Sequence, residues 1–203
     1  MIRKSVWLGI FFVTLVWSGI NPKDYVTWGL EVAPAVIGLV VLALTAGKFP
    51  LTPLVYTLIL IHAVILMVGG HYTYAEVPLF DYFRDWFGFE RNNYDKLGHF
   101  AQGFVPALIA REIVLRLQVI NGRSWMVFLI LCVCLAISAA YELLEWGVAL
   151  LSDEAADAFL GTQGYVWDTQ SDMGFALLGA SIALLTLSRW HDRMLERLPE
   201  PPN

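Results

Sequence analysis

Three pairs of acidic or imidazole residues recur at helical spacing along the sequence: Asp95 with His99 in DKLGH, Glu142 with Glu145 in YELLEW, and Asp168 with Asp172 in DTQSD. Spacings of three or four residues place both members of a pair on one side of a helix. Carboxylate and imidazole groups bind metal ions and carry protons. The pattern therefore predicts one polar site built from three helices.

The pair Glu142 and Glu145 is the most informative of the three, because it lies within an otherwise apolar segment. A carboxylate at the centre of a membrane helix costs about 2.5–3.5 kcal/mol on insertion scales. Such a group needs a cation, a proton or a hydrogen-bond donor inside a polar cavity. We expect a bound cation or protons to compensate the charges of these two carboxylates. The alternative is that the two side chains form hydrogen bonds with neighbouring helices.

Oxygen and imidazole ligands suit Zn, Mn, Fe or Mg, so a divalent metal of this group is the predicted cofactor. The candidate ligands are Asp95, His99, Glu142, Asp168 and Asp172, with His71 and Glu76 as further candidates near the same helix ends. In the enzyme hypothesis the catalytic residues are Glu142, Glu145 and His99, which act as ligands, bases or proton carriers.

A structural role is the competing explanation for part of this set. Asp95, Asp168 and Asp172 lie near predicted helix starts, where the helix dipole stabilises negative charge without any function. The HxxxH and CxxC metal-binding signatures are absent from the sequence. Metal binding is therefore one hypothesis for these residues, beside proton transfer and helix stabilisation.

The composition indicates which elements position these residues. Of the 203 residues, 58% are hydrophobic and 15% are charged, which excludes an ordinary soluble domain. A membrane span needs roughly 20 apolar residues. We predict an all-α fold: a polytopic membrane helical bundle of about six transmembrane helices, forming a single integral-membrane domain over residues 1–203. The predicted helices are 5–20, 29–46, 53–70, 98–117, 124–151 and 173–188, with external loops at 71–97 and 152–172.

The distribution of Lys and Arg predicts the orientation, because cytoplasmic ends of spans are enriched in these residues. With the N-terminus in the cytoplasm, four of the 13 Lys and Arg lie outside (Lys23, Arg84, Arg91 and Lys96) and the other nine lie inside. We therefore predict a protein of the bacterial inner (cytoplasmic) membrane with both termini cytoplasmic. The three polar pairs then fall at the outer face.

The segment LFDYFRDWFGF in the first external loop predicts a short interfacial helix. Leu79, Phe83, Trp86 and Phe87 recur at helical spacing beside charged residues. That pattern is typical of a helix lying in the headgroup layer, apolar side down. It predicts either an aromatic anchor or a lid or lipid-entry ramp over the site.

Charge also limits the partners. The net charge of −5, without a basic patch, excludes a nucleic-acid surface, which needs clustered positive charge to meet phosphates. The expected partners are membrane lipids, with a lipid-linked molecule as the candidate substrate.

Four motifs together carry a family resemblance: GGHYTYAEVPLF, RNNYDKLGHFAQGF, YELLEW and QGYVWDTQSDM. With them the chain resembles the YjdF-type bacterial inner-membrane proteins, the DUF2238 family, over nearly its full length. More distantly, DKLGHF followed by an intramembrane acidic residue and a later Asp is similar to the VanZ-like membrane proteins, one of which is linked to glycopeptide-antibiotic tolerance. Neither resemblance implies a settled reaction.

The VanZ-like resemblance implies a role for five positions in three motifs: Asp95, Lys96 and His99 in the first, Glu142 in the second and Asp168 in the third. The sequence departs from that pattern at Glu145, where Gln is usual, and at Asp172, where Asn is usual. Both departures add negative charge, which favours a cation at the site.

The leading hypothesis is an outward-facing Asp/His/Glu site that performs metal-dependent chemistry, as a hydrolase or transferase, on a lipid or cell-envelope precursor. One alternative is a non-enzymatic lipid-binding, envelope-stress or antibiotic-tolerance factor. Another is a proton- or ion-coupled transporter with Glu142 and Glu145 as carriers. A transporter predicts polar residues reaching the inner half of the membrane, whereas a lipid-binding factor predicts a retained lipid without turnover.

Overall fold

A computed structural model describes residues 3–151 and 163–198, and all regular secondary structure in these ranges is α-helical. This confirms the predicted all-α class. The helices are α1 (Lys4–Ser18), α2 (Tyr25–Thr45), α3 (Pro53–His71), α4 (Pro78–Phe87), α5 (Tyr94–Arg116), α6 (Arg123–Leu151) and α7 (Asp168–Leu195). Residues 152–162 of the predicted second external loop lie outside the described residues.

Apart from the short α4, successive helices alternate in direction. Ser18 at the end of α1 meets His71 at the end of α3, with 3.0 Å between the carbonyl oxygen and Nδ1. At the opposite end, Arg116 of α5 donates to the carbonyl of Pro50, just before α3. We call the end where α5 and α7 begin the site end, and the end where they finish the far end.

Polar caps fix where two helices begin. The Asp24 carboxylate accepts a hydrogen bond of 2.7 Å from the Thr27 N–H at the start of α2. This bond holds the pKa of Asp24 below its usual value, because it stabilises the ionised carboxylate. Thr52 caps α3 through the Val55 N–H, and Pro53 follows as the first residue of that helix.

Helices α5 and α7 are longer than the sequence predicts. Helix α5 begins at Tyr94 instead of residue 98, and α7 covers Asp168–Leu195 instead of 173–188. Sequence prediction stops where the apolar run stops, whereas the backbone hydrogen bonds continue through polar turns. Asp95, Asp168 and Asp172 therefore lie within these two helices, near their starts, and not in external loops.

The predicted interfacial segment forms α4, which ends at Phe87 and is followed by Gly88 as its C-cap, with a positive φ of 69°. Phe80 packs against Tyr94 with ring centroids 5.0 Å apart, so one side of α4 is held on the bundle. Trp86 on its other side is 79% exposed. The structure therefore has an amphipathic helix at this position. Its location in the headgroup layer stays a prediction.

Within the described residues, four helices are long and apolar enough to cross a membrane: α2, α3, α6 and α7. Helix α1 is apolar but has 15 residues. Helix α5 has 23 residues but carries much of the polar site. The count of six spans stays a prediction, with the alternating directions in its favour.

Helices α5 and α7 are the most extensively packed pair in the described structure. A Cβ added to Gly179 would overlap the backbone of Phe100, and one added to Gly103 would overlap the backbone of Ala176. Small residues let two helix backbones approach closely. These contacts set the spacing of the two helices that carry most of the site.

The far end is closed by a fully buried polar cluster around Glu112 of α5. Its carboxylate accepts from the Thr52 hydroxyl at 2.8 Å, from Arg116 at 3.1 Å and from His191 Nε2 at 3.0 Å. Arg111 lies 3.1 Å from His191 Nδ1, and because Arg always donates, the His191 proton is on Nε2. This cluster ties α7 and the start of α3 to α5.

We expect Gly179→Ala to lower the stability of the detergent-solubilised protein by about 1–3 kcal/mol, because the added methyl group overpacks the contact between α5 and α7. The matched control is Gly174→Ala on the same helix, where a Cβ meets no other atom within 4 Å. That variant should be slightly stabilised, since Ala favours a helix over Gly. Thermal unfolding of both variants tests this, and equal shifts of the same sign would contradict it.

Candidate functional site

The structure brings the three predicted polar pairs together at the site end of the bundle. The contributing residues are Asp95, Lys96 and His99 from α5, Glu142 and Glu145 from α6, and Asp168 and Asp172 from α7, and all of them are buried. Helical spacing places each pair on the inner side of its helix, as the sequence predicts.

Two cations, Arg91 and Lys96, pair with the carboxylates nearest the helix starts. Lys96 Nζ donates to Asp168 Oδ1 at 2.8 Å and to Asp172 Oδ1 at 2.7 Å. Arg91 donates to Asp168 Oδ1 at 2.6 Å and also to Asp95. These buried, charge-assisted hydrogen bonds join the first turns of α5 and α7.

His99 lies about one helical turn beyond Lys96 and faces two carboxylates. Its Nε2 is 3.8 Å from Asp172 Oδ2, and its Nδ1 is 3.8 Å from Glu142 Oε1. Nδ1 is also 3.2 Å from Gln102 Oε1, which can only accept, so the Nδ1 proton points to Gln102. If the imidazole is neutral, this contact leaves Nε2, which faces Asp172, as the nitrogen without a proton.

His99, Glu142 and Asp172 form one group of three potential metal ligands. One ligand atom from each residue lies within 4.8 Å of the other two. Asp95, Asp168 and Asp172 form a second group by the same measure. In that second group Arg91 and Lys96 already pair with the carboxylates. The group around His99 is therefore the better candidate for a metal.

Glu142 is a residue of the site whose charge is incompletely compensated. Its side chain is buried, and its Oε1 atom accepts no hydrogen bond from any residue that the structure describes. Leaving a buried charged oxygen without a donor costs about 1–3 kcal/mol or more. The position next to Glu142 Oε1 is therefore one where a cation or a proton is stabilised.

The whole site is short of positive charge. Six carboxylates lie in it: Glu31, Asp95, Glu142, Glu145, Asp168 and Asp172. The permanent cations among the described residues of the site are Arg91 and Lys96. If every carboxylate were ionised, four negative charges would remain unbalanced. Bound cations or protons have to make up the difference.

A cavity of about 170 Å³ lies beside His99, and we call it the site cavity. Tyr141 donates to Glu31 Oε2 at 2.9 Å in its wall. The Tyr74 ring lies between two glycines, and a Cβ on Gly98 would come within 2.7 Å of that ring. The glycine of DKLGHF is therefore needed to admit Tyr74 to the cavity wall.

Asn92 connects three segments of the chain next to the site through hydrogen bonds. Its side-chain amide donates to the Val77 carbonyl at 3.0 Å, and its Oδ1 accepts from the Tyr94 N–H at 3.1 Å. Its backbone pairs with the Gln163 amide in both directions, at 3.1 and 2.8 Å. One residue thus fixes α4, the start of α5 and the segment before α7.

Two of the candidate ligands make their contacts elsewhere. His71 lies against Trp17 with ring centroids 4.7 Å apart and contacts the Ser18 carbonyl. Glu76 forms an ion pair of 2.9 Å with Lys23, and both side chains are more than half exposed. The structure therefore does not bring these two residues into the group around His99.

Sequence analysis missed several residues of the site: Glu31, Tyr74, Gln102 and Tyr141 in the cavity wall, and Arg91 in the ion pairs. Glu31 had a detectable signal, since it is a carboxylate in an apolar segment, like Glu142. The tyrosines and Gln102 carry no such signal, because their roles depend on which helices meet.

Comparison with known proteins supports the first resemblance. Residues 3–193 match the family described as "Predicted membrane protein (DUF2238)". The chain belongs to this family. It is also similar to the inner membrane protein YjdF of Escherichia coli (strain K12), with 56% identity over 183 residues that cover 90% of this chain and 88% of the relative. No solved structure matches this DUF2238 protein. The VanZ-like resemblance stays a prediction.

The ion pairs of Lys96 predict a large effect on stability. We expect Lys96→Met to lower the free energy of unfolding by about 3–5 kcal/mol, because it leaves buried carboxylates without their cation. The matched control is Lys23→Met, which breaks the exposed pair with Glu76 and should leave stability unchanged. Denaturant unfolding in detergent measures the stability of both variants. Equal losses would show that burial does not determine how much an ion pair contributes to stability.

Proposed function

We propose that this chain is an inner-membrane protein that binds one divalent metal ion at His99, Glu142 and Asp172, and that it uses the ion on a membrane lipid or lipid-linked envelope precursor. The observation that carries the proposal is Glu142 Oε1, a buried carboxylate oxygen without a hydrogen-bond donor among the described residues, 3.8 Å from an imidazole nitrogen. A metal ion supplies the missing positive charge there.

The ligand geometry supports one shared ion. Two ligands bound at about 2.0–2.2 Å to the same metal are at most about 4.4 Å apart. One ligand atom from each of the three residues lies within 4.8 Å of the other two. Asp172 Oδ2 faces Nε2 at 3.8 Å, whereas the 3.8 Å contact of Glu142 is with Nδ1, so the Glu142 carboxylate has to rotate toward Nε2 to share the ion. One imidazole with two carboxylates suits Zn, Mn or Fe better than Mg.

Three protein ligands leave a coordination position for water or substrate. An ion held by these three residues would lower the pKa of a bound water and would polarise a phosphoryl or carbonyl oxygen. Glu145 lines the site cavity beside His99 and is not one of the three converging ligands, so its role in the proposal is that of acid or base. Lys96 holds Asp172 in position through its 2.7 Å hydrogen bond.

The proposed location is the inner membrane, with both termini in the cytoplasm and the site at the outer face. The name of the Escherichia coli relative, an inner membrane protein, and the four long apolar helices support the membrane location. The orientation rests on the Lys and Arg distribution. A transporter is less well supported, because beyond His62 the lining toward the far end is apolar apart from Thr45.

The test is the metal content of detergent-purified protein after incubation with Zn²⁺, Mn²⁺ or Fe²⁺ and removal of free ion. We expect about one ion per chain in the wild type and its loss in His99→Ala and Glu142→Gln. Glu76→Gln is the matched control and should keep the ion, because Glu76 is in an exposed pair away from the site. Thermal unfolding of each variant checks that the fold is retained.

If the wild type binds none of these ions, the metal-dependent proposal is wrong. A bound ion justifies a screen of lipid phosphates and lipid esters for hydrolysis or transfer, with Glu145→Gln as the inactive variant that keeps the metal. A metal-loaded protein that retains a lipid and converts none of these compounds would favour the lipid-binding factor.

A further inference from the structure

Two carboxylates in the wall of the site cavity have no cation beside them. The three aspartates of the site pair with its two cations, and the proposed metal ion would compensate Glu142. Glu31 accepts a hydrogen bond of 2.9 Å from Tyr141, which brings no charge. Glu145 is 7% exposed and lines the cavity, and no hydrogen bond or ion pair reaches it from the residues that the structure describes. Both carboxylates therefore need a positive partner or a proton.

The surroundings of Glu31 and Glu145 suit an ammonium group better than a second metal ion. Among the described residues, neither carboxylate belongs to a group of three converging ligands, whereas protein metal sites use three or four. The side chains of Tyr74 and Tyr141 line the same cavity. Aromatic rings attract ammonium ions, and a primary ammonium has three N–H groups to donate to carboxylate oxygens.

The site cavity reaches the outside of the bundle between α2 and α6. Helix α2 packs on α3, whereas α6 packs on α5 and α7, and α2 and α6 are not extensively packed on each other. Ile137 of α6 lines the cavity and is 41% exposed, and Pro34 of α2 lines it from the other side. The outer surface of a membrane bundle contacts lipid, so a lipid head group has a lateral route to Glu31 and Glu145.

We infer that Glu31 and Glu145 bind the primary ammonium group of a lipid head group, such as that of phosphatidylethanolamine. The inference names the lipid class of the proposed function and rests on that function for the phosphate, which would meet the ion at His99 in the same cavity. The ammonium offsets one of the two remaining charges, and a proton offsets the other. One oxygen of Glu145 accepts from the ammonium, and the second stays available for its acid or base role.

The experiment measures which lipids stay bound when the full chain is transferred from vesicles into native mass spectrometry. The vesicles contain equal amounts of phosphatidylethanolamine, its N-acetyl derivative, which has no ammonium, and phosphatidylcholine, whose ammonium has no N–H. In the wild type we expect about tenfold more phosphatidylethanolamine than either of the others, which corresponds to about 1.4 kcal/mol or one charge-assisted hydrogen bond. The three lipids have the same acyl chains, so the ratios report the amine alone.

Glu31→Gln and Glu145→Gln each remove one charge and keep the size of the side chain. In both variants the ratio of phosphatidylethanolamine to its N-acetyl derivative should fall to about twofold or less, because a charge-assisted hydrogen bond is lost. Glu76→Gln is the matched control and should keep the wild-type ratio, since it changes an exposed carboxylate away from the cavity. Thermal unfolding checks the fold, which we expect both Gln variants to retain because they remove uncompensated buried charges.

Equal retention of the three lipids by the wild type would overturn the inference, as would retention of none of them or a wild-type ratio in both Gln variants. Free ethanolamine tests the source of the amine: if it raises the unfolding temperature as much as phosphatidylethanolamine does, the ligand is a soluble amine and the lipid assignment is wrong. The metal content of the same samples separates the two proposals. Selective retention without a bound metal would refute the metal site alone, and a bound metal with equal retention would refute the ammonium site alone.

Discussion

The structure depends on how carboxylates are compensated inside an apolar helical bundle. An unpaired buried charge is costly, so each acidic residue needs a cation, hydrogen-bond donors or a proton. At the far end, the carboxylate of Glu112 is compensated by hydrogen bonds from Thr52, Arg116 and His191. At the site end, six carboxylates share Arg91 and Lys96. The same physical requirement therefore produces a closed structural cluster at one end and an incompletely balanced site at the other.

The geometry of that site depends on close backbone contact more than on the polar residues themselves. Helices α5 and α7 approach closely because Gly103 and Gly179 present no side chain at the contact. This approach brings Asp172 within hydrogen-bond distance of Lys96 and places it 3.8 Å from His99. Tight packing at mid-helix and ion pairing at the helix starts thus act together, and both are needed to hold three side chains from three helices in register.

The incomplete charge balance of the site connects the structure with the proposed function. Natural proteins retain unfavourable buried groups mainly where a ligand or reaction uses them. The orphan oxygen of Glu142 lies 3.8 Å from Nδ1 of His99, and Asp172 lies 3.8 Å from Nε2 of the same ring. Two carboxylates from two helices therefore face one imidazole from a third.

The sequence by itself determined the all-α class, the apolar segments and the side of the helix that each polar pair shares, because these follow from local hydrophobicity and helical periodicity. It also identified His99, Glu142 and Asp172, since polar residues at helical spacing in apolar segments are conspicuous. Only the tertiary structure decided which of the candidates meet. His71 pairs with Ser18, Glu76 with Lys23, and Glu31 joins the site from α2. These outcomes depend on contacts between residues distant in sequence, which no local pattern encodes.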